Sequence, residues 1–213
     1  MIKKNNYPLV LKYFSKYEGE YVIKKEIIRK SIHLIFGIFF LLLIQYGGVQ
    51  LSFNIIALCL IAGTIISIAM MRKHKFPLLN EIVGKVERDS ERHFPGRAAI
   101  YFFVSALILL VIFKEYPLII LAALSVQVFA DSAAAIIGIQ FGKHKLFQKK
   151  SYEGSLACLV VSIICINFFF PIYIAIVAGF IATAVEVLPL DDNLWVPLST
   201  GFAIRLLLLP FTF

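Results

Sequence analysis

Long apolar runs alternate with short polar segments along most of this 213-residue chain. About 20 apolar residues in a helix cross a hydrocarbon core of about 30 Å, and a helix satisfies its own backbone hydrogen bonds within a bilayer. Glycine and proline separate neighbouring runs at Gly47-Gly48, Pro117 and Pro171, which predicts tight turns between antiparallel helices. The pattern predicts seven spans, at residues 30–46, 49–71, 98–114, 117–139, 154–170, 172–188 and 194–212.

The composition agrees with an all-α fold, a polytopic transmembrane helix bundle. The chain is 60% hydrophobic and 16% charged, with a mean hydropathy of +0.87, whereas a soluble domain has about a quarter charged residues. The first 30 residues are polar, basic and aromatic, so we expect no cleavable signal peptide. We expect an interfacial N-terminal segment at residues 1–29 and a single transmembrane domain at residues 30–213.

Lysine and arginine are concentrated in three of the polar segments. Residues 1–30 hold 8 of them, residues 72–97 hold 7 and residues 140–153 hold 4, which is 19 of the 21 in the chain. With seven spans these segments fall on one side, and the positive-inside rule makes that side the cytoplasm. The N-terminus is therefore predicted to be cytoplasmic. We ascribe the net charge of +8 to topology and anionic lipids, not to nucleic-acid binding.

Asp131 lies inside a predicted span, roughly 12 Å from its cytoplasmic end. An unpaired carboxylate at that depth costs several kcal/mol, so it must face a partner or a wet cavity. A structural ion pair, for example with Arg205, is one explanation. However, Ala135, Gly138 and Gly142 follow on the same helical face, where small residues let a second backbone or a ligand approach. We interpret Asp131 as part of a ligand site.

The segment after Asp131 reads QFGKHKLFQKKSYEGS. Its ammonium groups suit phosphates, its glycines permit close backbone approach, and the start of the next helix favours an anion. Plain positive-inside lysines are the alternative, and the Walker pattern G-x-x-x-x-G-K-[ST] is absent. The phosphate-binding hypothesis involves Gly142, Lys143, Lys145, Lys149, Lys150, Ser151, Gly154 and Ser155.

The turn VEVLPLDDNLWVP between spans six and seven is acidic, although it is predicted to lie on the basic side. Asp192 or Asn193 can cap the following helix, but capping accounts for one polar residue and not for two adjacent carboxylates. Mg²⁺ prefers oxygen ligands, usually one or two carboxylates plus substrate phosphates. We predict that Glu186, Asp191, Asp192 and Asn193 bind a metal ion or a nucleotide.

The segment EIIRKSIH before span one places Arg29 and His33 four residues apart, on one side of a helix. Arg29 can bind a phosphate with two hydrogen bonds, although a basic collar that reaches lipid head groups would use the same residues. Residues 72–97 mix charge signs and are predicted to be mainly an interfacial helix. A contribution of Arg88 or His93 to the site is the lesser alternative.

Four motifs now stand in a fixed order: R-K-x-x-H, D-x-x-x-A-x-x-G-x-x-x-G-K, K-S-x-E-G-S, and E followed by D-D-N. Together, over about residues 26–200, they resemble the family of dolichol kinase, phytol kinase and CTP-dependent diacylglycerol kinase. The matching residues are Arg29, Lys30, His33, Asp131, Ala135, Gly138, Gly142, Lys143, Lys150, Ser151, Glu153, Gly154, Ser155, Glu186, Asp191, Asp192 and Asn193.

The resemblance implies a membrane kinase that transfers the γ-phosphoryl of CTP, or another nucleotide, to a lipid alcohol such as a polyprenol, phytol, dolichol or diacylglycerol. Its site would lie on the cytoplasmic face, at the plasma membrane in a prokaryote, among membrane lipids. The chain is shorter than the eukaryotic dolichol kinases, which leaves the acceptor open.

The resemblance and the residue chemistry together assign a role to each residue. Mg²⁺ would be held by Asp191 and Asp192 with Asn193 or Glu186. Asp131 would orient or deprotonate the lipid hydroxyl, or bind a metal ion. The expected catalytic residues are Asp131, Glu153 and Asp192, and the expected nucleotide-binding residues are Arg29, Lys30, His33, Gly138, Gly142, Lys143, Lys145, Lys150, Ser151, Gly154 and Ser155.

Two other functions use the same features. A cytidylyltransferase that makes a CDP-lipid would share the substrates, but its usual P-x-H-G-G-x-x-D-R-x-D run is not found in this sequence. A transporter would suit Asp131 and Arg205 inside the membrane. Against a transporter, the charged residues cluster toward one membrane face, and the sequence has no inverted repeat with paired broken helices.

Overall fold

A computed structural model describes residues 7–72, 94–146 and 150–209, with side chains from residue 23 onward. Within these ranges the chain forms helices and a single isolated β-bridge, between Lys145 and Ser151. The predicted all-α class is confirmed. The helices are α1 (Tyr7–Met71), α2 (Arg97–Ile112), α3 (Pro117–Phe141), α4 (Tyr152–Asn167), α5 (Ile172–Val187) and α6 (Asp192–Leu208).

Helix α1 is divided into two halves at Gly48, where a turn between the first two spans was predicted. Gly48 has φ 77° and ψ 172°, and a positive φ of this size favours glycine because it has no Cβ. An added Cβ at Gly48 would meet nothing within 4 Å, so the dihedral angle, not the space, requires glycine. The first half is continuous from Tyr7 across residue 29, so no helix end marks the predicted domain boundary there.

Helix α3 lies at the centre of the bundle. Residues 119–128 are all buried, and α3 packs against α1, α4 and α6. Pro117 occupies its first turn, where the missing N–H is not needed. A π-helical turn at Val126–Ala130 interrupts the α-helix immediately before Asp131. Such turns are rare and frequently occur at functional sites.

The small residues after Asp131 let α3 and α4 approach closely. A Cβ added at Gly154 would lie 2.8 Å from the carbonyl oxygen of Ala134 and 3.1 Å from the Cα of Gly138. A Cβ at Gly142 would collide with the carbonyl oxygen of Gly138 and the hydroxyl of Ser151. The second backbone that the small-residue pattern predicted is therefore the start of α4.

The surface of the bundle has the character of a membrane protein. Large apolar side chains such as Tyr46, Leu58 and Phe168 point outward with most of their area exposed, as a lipid-facing surface requires. Two helical stretches, Ile23–Met71 and Pro117–Phe141, are long and apolar enough to cross a bilayer. The apolar helices α2, α4 and α5 have 10–17 residues. The seven spans and the cytoplasmic N-terminus stay predictions.

Candidate functional site

Lys150 connects the loop after α3 to the acidic turn between α5 and α6. Its ammonium group bonds Glu186, which is buried near the end of α5, and lies 3.4 Å from Oδ2 of Asp192 at the start of α6. Burial lowers the pKa of Lys150, but the charges of Asp192 and Glu186 outweigh burial, so the pKa is raised above its usual value. A charged lysine therefore joins two of the four predicted motifs.

Asp131 and Lys30 form a second ion pair, between α3 and α1. Both are buried, with 6% and 4% of their surfaces exposed. The Nε2 atom of His33 lies 3.9 Å from the same carboxylate oxygen, Oδ2. Arg205, the partner considered from sequence, instead lies over the ring of Tyr116, 4.6 Å from its centroid. The partner of Asp131 is thus a residue of the R-K-x-x-H motif.

A chain of hydrogen bonds runs from the motif on α1 to the acidic turn. The carbonyl oxygen of Gln127 accepts a hydrogen bond from Nε2 of His33 at 3.2 Å. The side-chain amide of Gln127 donates to Oδ1 of Asn193 at 3.0 Å, and Nδ2 of Asn193 donates to Oδ1 of Asp192 at 3.2 Å. All four motifs therefore contribute residues to one end of the bundle. The K-S-x-E-G-S motif contributes Lys150.

Asp191 occupies the capping position of α6, so the alternative in which Asp192 or Asn193 serves as the cap is wrong. Its Oδ2 lies 3.3 Å from Arg97 at the start of α2. Burial and the adjacent charge of Asp192 raise the pKa of Asp191, and Arg97 offsets part of that rise. Arg97 was not among the predicted site residues, because nothing in the sequence places the start of α2 beside this turn.

Several buried polar atoms in this region have no hydrogen-bond partner within the described part of the chain: Oε1 of Gln127, Oγ of Ser155, Oε2 of Glu186 and Oδ1 of Asp191. Leaving such an atom unpaired costs about 1–3 kcal/mol, so each calls for an explanation. Three of the four are acceptors only. Acceptors without donors fit a cation, or a ligand that donates hydrogen bonds.

The acidic turn offers carboxylate oxygens of the type that Mg²⁺ uses, but not a complete set of ligands. Glu186, Asp191 and Asp192 supply carboxylate oxygens, and Glu186 and Asp191 each have one without a partner. Among the residues that the structure describes, no group of three or more His, Cys, Asp or Glu side chains forms a complete metal site. Mg²⁺ usually takes one or two carboxylates and completes its coordination with water and phosphate oxygens.

The remaining residues of the loop motif have structural contacts. Ser151 caps α4, since its hydroxyl accepts a hydrogen bond from the backbone N–H of Gly154 at 3.2 Å. Glu153 lies 2.8 Å from Nδ1 of His144. A bond to its own backbone N–H and the His144 ring lower the pKa of Glu153 to about 2. Lys143 and Lys145 are exposed.

The structure shows a local partner for Arg29, and three other predicted residues lie outside the described ranges. Arg29 is bonded to Glu26, with 3.1 Å between its Nε and Oε2, and extends from the same helix as Lys30. Arg88, His93 and Lys149 lie outside the described residues. Sequence reasoning missed Gln127, although its position is a signal: it is a lone amide in an apolar run, four residues before Asp131.

Three known proteins are similar to this chain over most of its length. The chain is 30% identical over 188 residues to the Uncharacterized protein MJ1137 of Methanocaldococcus jannaschii, covering 85% of this chain and 93% of that protein. It is 27% identical to the CTP-dependent diacylglycerol kinase 1 of Schizosaccharomyces pombe, over 87% and 94% of the two chains. It is 26% identical to the Probable phytol kinase, chloroplastic, of Triticum aestivum, over 84% and 66%.

No protein-family model and no solved structure matches the chain. Two of the three relatives are named as kinases, one for diacylglycerol and one for phytol.

Proposed function

The chain belongs to the same family as the archaeal protein MJ1137, and from this footing we propose that it is an integral-membrane kinase for a lipid alcohol. It transfers the γ-phosphoryl of CTP, or of another nucleoside triphosphate, to the hydroxyl of a polyprenol, phytol, dolichol or diacylglycerol. One observation supports this most: two lysine–carboxylate pairs, Lys30 with Asp131 and Lys150 with Glu186 and Asp192, lie at one end of the bundle. His33 lies 3.9 Å from Asp131, and hydrogen bonds lead from His33 through Gln127 and Asn193 to Asp192.

Phosphoryl transfer passes through a loose transition state, so the protein mainly positions the reactants and stabilises charge. The site has the groups that this requires. Lys150, with Lys30 and the exposed Lys143 and Lys145, supplies cations for the triphosphate. Asp191, Asp192, Glu186 and Asn193 would hold Mg²⁺, which when bound neutralises charge on the phosphate oxygens.

Asp131 orients the hydroxyl of the lipid. Lys30 and His33 both approach its Oδ2, which leaves Oδ1 to accept a hydrogen bond from the substrate. The carboxylate is buried, so the lipid hydroxyl has to enter the bundle to reach it.

The test is a transfer assay on protein purified in detergent. It uses γ-labelled CTP and, separately, γ-labelled ATP, with Mg²⁺ and a panel of prenols and diacylglycerol. We expect label in a lipid phosphate, and the productive combination identifies donor and acceptor together. Asp131→Asn should be inactive. Glu115→Gln also replaces a carboxylate by an amide, but at an exposed residue of the α2–α3 turn, and should leave activity intact.

Two outcomes would contradict the proposal. Release of pyrophosphate from CTP and phosphatidate, without label in any lipid, would identify a cytidylyltransferase. If folded protein neither labels a lipid nor releases pyrophosphate, the result would favour a transporter.

A further inference from the structure

Gln127 contacts both halves of the site. Its carbonyl oxygen accepts the hydrogen bond from His33 on α1, and its side-chain amide donates to Asn193 on α6. It lies in the π turn Val126–Ala130, immediately before Asp131. No other described residue is hydrogen-bonded to both His33 and Asn193.

The side-chain bond determines how Asn193 is oriented. An asparagine amide presents an oxygen on one side and an NH₂ group on the other. Because Nε2 of Gln127 donates to Oδ1 of Asn193, the NH₂ group faces Asp192 and donates to its Oδ1. The backbone of Asn193 is held as well, since its carbonyl accepts a hydrogen bond from Ser105 at 3.0 Å. Gln127 then sets which side of the amide faces Asp192, while Asn193 also bonds the neighbouring carboxyl of Asp191.

The orientation of Asn193 in turn assigns the two oxygens of Asp192. Oδ1 accepts from Asn193, and Oδ2 faces Lys150 at 3.4 Å. If Asn193 were turned over, its oxygen would face a carboxylate oxygen, and two acceptors would oppose each other. Asp192 would then leave this position.

Packing alone does not explain a glutamine here. The side chain is fully buried among the apolar residues of α3, and its Oε1 has no hydrogen-bond partner. A methionine would fill a similar volume without leaving an unpaired amide oxygen. A residue that is unfavourable for burial but connects two parts of a site fits a role in function.

We propose that Gln127 is a positioning residue for the metal–nucleotide side of the site: it orients Asn193, and through Asn193 it holds Asp192. This inference rests on the proposed function for the identity of the ligand, Mg²⁺–CTP. Gln127 acts on Asp192 and not on the lipid, so its loss should weaken nucleotide binding and leave the response to lipid unchanged.

The experiment compares Gln127→Met and Gln127→Glu with the parent protein. Methionine removes the amide, and glutamate keeps the shape but cannot donate to Asn193 when ionised. The same two substitutions at Gln140, which is exposed on the same helix, serve as matched controls. The readouts are the affinity for Mg²⁺–CTP by calorimetry, the KM for the lipid alcohol, and the unfolding temperature.

We expect Gln127→Met to bind Mg²⁺–CTP about 10–100-fold more weakly, the usual effect of losing a partner behind a metal-binding residue. Gln127→Glu should do the same at a pH where the glutamate is ionised, and less so where it is protonated and can donate to Asn193. The KM for the lipid should change less than about twofold, and the Gln140 variants should behave as the parent. In an Asn193→Ala background, Gln127→Met should have no further effect on Mg²⁺–CTP affinity, because the route through Asn193 is already broken.

The outcomes separate this inference from the kinase proposal. Unchanged Mg²⁺–CTP affinity in folded Gln127→Met would overturn the positioning role, even if the parent phosphorylates lipid. Weakened affinity in a protein that transfers no label would support the positioning role and count against the kinase. A parent that binds neither Mg²⁺–CTP nor Mg²⁺–ATP would overturn both, and loss of folding in both Gln127 variants would assign Gln127 to packing.

Discussion

The ion pair between Lys30 and Asp131 predicts how much substitutions at these two residues lower the unfolding temperature. Both side chains are buried, so removing one leaves the other as an uncompensated charge in a medium of low polarity. Breaking a buried pair in this way costs about 3–5 kcal/mol. For a protein of about this size, each kcal/mol lowers the unfolding temperature by roughly 2–4 °C. Asp131→Asn and Lys30→Met should therefore each unfold roughly 6–20 °C below the parent.

The double variant Lys30→Met/Asp131→Asn contains neither charge. Its unfolding temperature should fall by far less than the sum of the decreases in the two single variants, because the effects of substitutions at contacting residues are not additive. Unfolding can be followed in detergent by the fluorescence of Trp195, the only tryptophan of the chain, which lies in α6. Lipid phosphorylation should be absent in all three variants, since the double variant restores the balance of charge but not the carboxylate.

Two results would refute this reasoning. If the single losses simply add in the double variant, the two residues do not form an energetically coupled pair. If the double variant regains activity, the role of Asp131 is structural.

Three further predictions concern the loop and the crossing between α3 and α4. Gly154→Ala should cost about 1–3 kcal/mol, the usual cost of overpacking, because its Cβ would lie 2.8 Å from a backbone carbonyl. In contrast, Gly63→Ala, which meets nothing within 4 Å, should be neutral or stabilising by up to about 1 kcal/mol; equal unfolding temperatures for the two variants would contradict this. Since its folded pKa is raised, Lys150 stabilises the fold below its ordinary pKa of 10.5, and that contribution is lost as pH rises further. Lys150→Met should accordingly unfold at a lower temperature than the parent at pH 7, and this difference in unfolding temperature should become smaller only above about pH 10.5. If the two unfolding temperatures are already equal at pH 9, Lys150 is not paired with Glu186 and Asp192 as the structure shows. Because the pKa of Glu153 is lowered to about 2 from 4.5, its contact with His144 should persist above pH 4.5 and weaken toward pH 2. The backbone N–H of His144 donates to the Glu153 carboxylate at 3.3 Å, so Glu153→Gln should speed amide exchange at His144 at neutral pH, measured by hydrogen–deuterium exchange. Unchanged exchange would exclude the contact.

The all-helical fold was predictable because the signals are local. Apolar runs set the helices, and glycine and proline set the turns, so Gly48 and Pro117 lie where the sequence placed a break and a start. The alternation of the predicted spans was equally readable: it predicted that Lys150 and the acidic turn lie at the same end of the bundle, where the structure pairs Lys150 with Glu186. These inferences require only the order of residues along the chain.

The pairings within the site were not predictable in the same way. Arg29 and Lys30 are adjacent, and which of them faces α3 depends on the rotation of α1, which is set by packing against helices far away in sequence. The structure turns Lys30 inward to Asp131 and leaves Arg29 with Glu26. The role of Gln127 was not predictable either, because its hydrogen-bond partner Asn193 is 66 residues away in the sequence.

The π turn in α3 makes the effect of a deletion depend on where it falls in the helix, independently of side-chain chemistry. A π turn contains an extra residue relative to an α-helical turn, and its wider turn takes up that residue locally. Deleting one residue within Val126–Ala130 would restore a regular helix and leave the residues after the turn nearly in their present orientation. Deleting one residue from the α-helical part before the turn would instead rotate Asp131 by about 100° relative to the start of the helix, so the pair with Lys30 and the packing of the helix start could not both be kept. The π turn is thus the place in α3 where a change in chain length disturbs the geometry of the site least.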